Sequence, residues 1–121
     1  MYLVPNYVDH SNIHGFGVFT KENIKVGTLM WIFVPGFDLE IVADEFPPQA
    51  RQYIIHYGNM VRPKIYLLCG DNGRFTNHSE TPNMSISGDQ NFALRDIAAG
   101  EEITCDYREF DIDFKSRPMA R

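Results

Sequence analysis

Cysteine is nearly absent. Cys69 and Cys105 are the only two in 121 residues, too few for a disulfide framework and not at metal-ligand spacing. No apolar run approaches the roughly eighteen residues of a membrane-spanning helix. Met1 to Asn12 lacks the basic-then-apolar order of a secretory signal. Basic residues are also short, at 11 Lys and Arg against 16 Asp and Glu, a net charge of −5. That deficit speaks against a protein that tracks nucleic-acid phosphates with a basic face, and it leaves room for a basic partner. Repeats, low-complexity stretches and linkers are missing too. These absences leave a soluble intracellular chain of a reducing compartment, with neither membrane nor direct nucleic-acid binding.

Apolar residues make up 44% of the chain and charged residues 22%. A chain of this size buries roughly two thirds of its unfolded surface, enough for one core. Seven prolines and nine glycines cut it into short pieces. Tyr2 to Val4, Gly17 to Phe19, Thr28 to Val34, Asn83 to Ile86, Asn91 to Leu94 and Glu102 to Cys105 are rich in strand-forming residues and bounded by turn signals. Pro35-Gly36, Asp71-Asn72-Gly73 and Ser87-Gly88-Asp89 mark turns. Pro47 to Tyr57 alone reads as a helix, with a buried stripe of Ala50, Tyr53, Ile54 and Tyr57 and with Gly58 as its cap. The reading is a mostly β, single-domain protein with one main short helix.

Three segments carry more special residues than strand building needs. In His14-Gly15-Phe16-Gly17, two glycines before a strand let the backbone approach a ligand, although a plain tight turn uses the same pair. It lacks the third glycine and the helix of a dinucleotide fingerprint. Arg74-Phe75-Thr76-Asn77-His78-Ser79-Glu80-Thr81-Pro82-Asn83 concentrates donors and acceptors, which could equally bond their own backbone. Gly100-Glu101-Glu102-Ile103-Thr104-Cys105-Asp106-Tyr107 is an alternating strand that ends in a tyrosine. His10 and His14 are four apart, but in a strand-and-turn region they share no helical face for a metal.

In this order and spacing, the three segments resemble the SET domain of protein-lysine methyltransferases, whose pattern is G-x-G, then R-F-x-N-H-S-x-x-P-N, then G-E-E-(I/L)-T-x-D-Y. The resemblance runs from about Gly15 to Tyr107. Glu80 stands where many members have cysteine, and the zinc-binding cysteine clusters that flank many SET domains are missing. The chain is therefore similar to the bare viral and bacterial members: one SET domain over residues 1–121, closed by a short tail from about 108 that includes Asp113 to Pro118. The implied fold is β-clip-like, with several small curved sheets and a pseudoknot-like C-terminal crossing.

The resemblance implies methyl transfer from S-adenosyl-L-methionine to the amine of a protein lysine, leaving S-adenosyl-L-homocysteine. Gly15, Phe16, Gly17, Asn77, His78 and Phe114 would bind the cofactor, His78 mainly through its backbone. Tyr107 would be the catalytic hydroxyl. Tyr53, Tyr66 and Phe110 are the candidates for the lysine channel, and no metal is implied. Arg74, Glu102 and Asp106 would position loops. Asp38, Glu40, Asp44, Glu45, Asp111 and Asp113 could draw a basic peptide or could simply be solvated. The partner would be a lysine-bearing protein, histone or otherwise, located in cytoplasm or chromatin, and small relatives suggest a homodimer. The alternative is a SET fold that binds cofactor, peptide or a protein partner without turnover.

Overall fold

Residues 1–116 are described in the computed structural model, and they form ten short strands and one α-helix. The strands are β1 (Asn6–His10), β2 (Phe16–Thr20), β3 (Leu29–Ile32), β4 (Leu39–Val42), β5 (Asn59–Arg62), β6 (Ile65–Leu68), β7 (Asn77–His78), β8 (Met84–Ser87), β9 (Gln90–Ala93) and β10 (Glu102–Cys105); helix α1 is Pro48–Tyr57. They build three small sheets, in the orders β1-β2-β10-β7, β3-β9-β8 and β4-β6-β5. The mostly β architecture with one main helix agrees with the sequence. The last stretch of the expected tail, residues 117–121, lies outside the described residues.

The strands form where apolar residues alternate. In β2, Val18 is fully buried, and in β10 so is Ile103; the two are directly paired. Around them pack Met30, Trp31, Met84, Ile97, Cys105 and Tyr107, the main core. A smaller cluster of Ala43, Ile54 and Tyr66 lies under α1. The turns at Gly36 (φ 85°) and Gly88 (φ 62°) need the left-handed conformation that glycine tolerates.

Several local expectations change. Tyr2 forms only an isolated bridge to Trp31, not a strand. In α1 only Ile54 is fully buried, while Tyr53 is 42% exposed, so the expected four-residue stripe narrows to one anchor with Ala50 and Tyr57 at its margins. Gly58 does follow the helix, but in an extended conformation (φ −88°). Its role is space: a Cβ there would sit 2.6 Å from the Ile54 carbonyl oxygen.

The pairing that matters for function is β7 with β10. It is parallel, aligning Asn77 with Thr104 and His78 with Cys105. This lays the Asn-His segment along the C-terminal strand just before Tyr107, the crossing that the family resemblance implies.

Candidate active site

The first wall is the loop entering β2. Gly15 has φ 48°, and Gly17 is buried against Glu102: a Cβ on Gly17 would lie 2.3 Å from Glu102 Oε2. Glu102 is held by Ser11, whose Oγ donates to Oε1 at 2.6 Å. Asn77 joins these parts. Its Nδ2 donates to the carbonyls of His14 (3.1 Å) and Phe16 (2.9 Å) and to Glu102 Oε2 (2.8 Å). Three acceptors fix the nitrogen end, which leaves Oδ1 buried and without a partner. A buried acceptor of this kind costs stability unless a ligand completes it. Phe16, 46% exposed, stacks on His10 with ring centres 5.0 Å apart.

The second element is the His78 and Tyr107 pair. The backbone N–H of Tyr107 donates to His78 Nδ1 at 2.9 Å in the buried interior. An accepting Nδ1 places the ring proton on Nε2, so the imidazole is neutral. Its pKa is lowered from the ordinary 6.5, chiefly by burial, with the Asp106 carboxylate opposing. Asp106 Oδ1 lies 3.6 Å from Nδ1, but a neutral ring makes no ion pair there. Asp106 instead grips Arg108, with Arg108 Nη2 at 2.6 Å and Nε at 2.9 Å, and this holds the Asp106 carboxyl below its usual 3.8. Phe114 packs on His78 with centroids 4.8 Å apart. The His78 side chain, and not only its backbone, thus positions the tyrosine segment.

Tyr107 is 1% exposed to bulk solvent and lines a cavity of about 470 Å³. Its hydroxyl donates to the Thr76 carbonyl, and Thr76 Oγ1 shares a 2.7 Å hydrogen bond with the Tyr2 hydroxyl. Burial raises the Tyr2 pKa well above 10.0, so that phenol stays protonated. Phe110 meets the Tyr107 ring edge-on at 5.7 Å and lines the same cavity. Trp31, Met84 and Ile86 make its apolar wall.

The structure brings Phe110 into this cavity but not the other two channel candidates. Tyr66 turns into the smaller core with Ala43 and Ile54. Tyr53 stands outside, its hydroxyl accepting from Arg74 Nη1 and its ring 5.6 Å from that guanidinium. Arg74 also donates twice to the Cys69 carbonyl, at 2.8 and 3.1 Å, and so ties down the loop. Of the acids, Glu40 and Asp111 line the cavity. Asp38 is neither solvated nor in the groove: it is 1% exposed and accepts from Val34 N, Gly70 N and the Met1 ammonium. Tyr2 and Thr76 were not singled out from the sequence. Thr76 occupies the variable position of R-F-x-N-H-S and acts through its backbone; Tyr2 is seventy-four residues from its partner. Among the described residues, no group of three or more metal-ligating side chains forms.

The SET domain family model matches residues 15–108. The histone-lysine N-methyltransferase ATX2 of Arabidopsis thaliana is 34% identical over 123 residues, covering 85% of this chain and 11% of that protein. The histone H3-lysine(4) N-trimethyltransferase ATX1 of the same plant is 32% identical, covering 84% and 11%. The solved structure of ctPRC2 in an autoinhibited conformation bound to S-adenosylmethionine, from Chaetomium thermophilum, shares the fold at a TM-score of 0.62 and 20% identity, over 93% of this chain and 16% of that one. The fold and the paired Asn-His and Tyr segments define a SET-type scaffold. The chain belongs to the SET-domain family. It spans about a tenth of the length of these curated plant relatives.

Proposed function

We propose that this chain is an S-adenosyl-L-methionine-dependent protein-lysine N-methyltransferase. The observation that carries the reading is the unpartnered, buried Oδ1 of Asn77, next in sequence to the His78 that holds Tyr107. An orphaned acceptor fits the ammonium of the cofactor's amino acid portion, which is a strong donor. Gly15, Phe16 and Gly17 would form the wall beside it, with His78 and Phe114 on the adenine side. When bound, the cofactor supplies a methyl already activated by a sulfonium.

The chain's own residues would do the rest. The target amine must be neutral to react, although a free lysine has a pKa near 10.4. Where the amine lies against Trp31, Met84 and Ile86, inside the exposed acids Asp89 and Glu109, burial disfavours the ammonium and so lowers that value. Because the Tyr107 hydroxyl gives its proton to Thr76, its oxygen remains an acceptor for an amine N–H. Holding the amine in line is then the main catalytic contribution, a matter of positioning.

The names of the relatives support a histone as substrate, with another lysine-bearing protein as the alternative; a histone substrate would place the chain at chromatin, and another substrate could place it in the cytoplasm. No helix among the described residues is long and apolar enough to cross a membrane. Residues 1–121 would act as one domain, with the chain from about 108 closing the site, and light scattering tests the homodimer that the family resemblance suggests.

Calorimetry with S-adenosylhomocysteine tests the reading. The parent should bind with or without a chelator, and Asn77→Ala should bind about tenfold more weakly or worse. No binding by the folded parent would overturn the assignment.

A further inference from the structure

Three side-chain polar atoms among the described residues are buried without a partner: Asn77 Oδ1, Arg51 Nε and Asn91 Oδ1. The first belongs to the cofactor wall, and Arg51 lies on α1. Asn91 is different, because it lines the 470 Å³ cavity beside Tyr107. It sits on the central strand β9, directly between Trp31 of β3 and Ile86 of β8. All three side chains line the cavity. A carboxamide that is 5% exposed in the middle of an apolar row is the arrangement that folding disfavours. Leucine or isoleucine would pack there at no polar cost.

We propose that Asn91 is a substrate-binding residue, whose carboxamide accepts a hydrogen bond from the side-chain nitrogen of the lysine in this cavity. Two observations converge. The amide has no hydrogen bond that fixes which end faces the cavity, so it can present its oxygen to a donor. The charge at the rim favours a cation: the exposed carboxylates of Asp89 and Glu109 line the cavity, while its two arginines, Arg62 and Arg108, are engaged elsewhere. Arg62 is already paired with Glu40, and Arg108 with Asp106. Asp89 and Glu109, both exposed, would attract an ammonium to the mouth, and Asn91 would meet its N–H groups inside. This rests on the cavity being the amine site of the proposed function.

The test uses n-butylammonium, the lysine side chain without its backbone, titrated into ¹⁵N-labelled full-length protein. The Asn91 side-chain NH₂ resonances should shift and saturate. Asn91→Leu should bind the probe about tenfold more weakly and melt at a higher temperature than the parent, because the unsatisfied amide is gone. Unmoved Asn91 resonances, or equal probe affinity in Asn91→Leu, would overturn the inference. S-adenosylhomocysteine binding, measured separately, distinguishes the two readings. A protein that binds the amine through Asn91 but not the nucleoside refutes the cofactor assignment and leaves Asn91 in place. The reverse result refutes Asn91 alone.

Discussion

Replacing Tyr107 by Phe removes one oxygen and keeps the ring that packs against His78 and Phe110. From sequence alone the change reads as neutral for folding. The structure says otherwise, since the hydroxyl is buried and donates to the Thr76 carbonyl. Losing that bond strands a buried acceptor and should cost about 1–3 kcal/mol. At about 2.1 cal/mol/K of unfolding entropy per residue, 121 residues give roughly 0.25 kcal/mol per kelvin, so Tm should fall by about 4–12 °C. The same oxygen is the proposed acceptor for the amine, and a placed group of this kind is worth roughly 10²-fold in rate, or about 2.7 kcal/mol. Turnover therefore has to be compared well below the variant's Tm, with S-adenosylhomocysteine affinity measured alongside. The expected pattern is kcat down about 10²-fold with cofactor Kd nearly unchanged. A folded Tyr107→Phe protein with parental kcat would remove Tyr107 from the reaction, and an unchanged Tm would show that the Thr76 bond contributes nothing to the fold.

Two further outcomes follow from the same geometry. Gly17→Ala drives a Cβ to 2.3 Å from Glu102 Oε2, so the carboxylate must move and release Asn77; cofactor affinity should drop at least tenfold, and a Gly17→Ala protein with parental affinity would show that the Glu102 contact is dispensable. His78 has a folded pKa below its ordinary 6.5, so its neutral form is favoured in the native state. Between those two pKa values the unfolded chain binds more protons, so stability from this group is full above about pH 6.5 and is lost as pH falls through that window. Urea midpoints at about pH 7.5 and 5.5 should differ more for the parent than for His78→Asn, which keeps an acceptor but does not titrate; equal differences would refute the role of the neutral ring.

How much of this was legible in the sequence depended on whether the interaction was local. The strands β2 and β10, the turns at Gly36 and Gly88 and the helix α1 all announce themselves within a few residues. Strand β1, with half-buried and exposed residues only, carries no such pattern and forms because β2 pairs with it throughout. The Asn77, His78 and Tyr107 set was legible only as a family pattern, since thirty residues separate its parts and parallel pairing unites them. Tyr66 was misdirected by strand alternation: Leu67 faces the cavity, so its neighbour faces the smaller core. Asn91 gave no signal, because an asparagine in a strand looks like a surface residue until its burial is known.

The most direct measurement is mass spectrometry of lysine-bearing proteins and peptides, histones included, after incubation with the parent protein and isotopically labelled S-adenosylmethionine. The expected result is labelled methyl on lysine, with S-adenosylhomocysteine formed in equal amount and both abolished or strongly reduced in Tyr107→Phe. Cofactor binding with no labelled lysine on any substrate would contradict the enzymatic claim and leave a SET fold that binds without turnover.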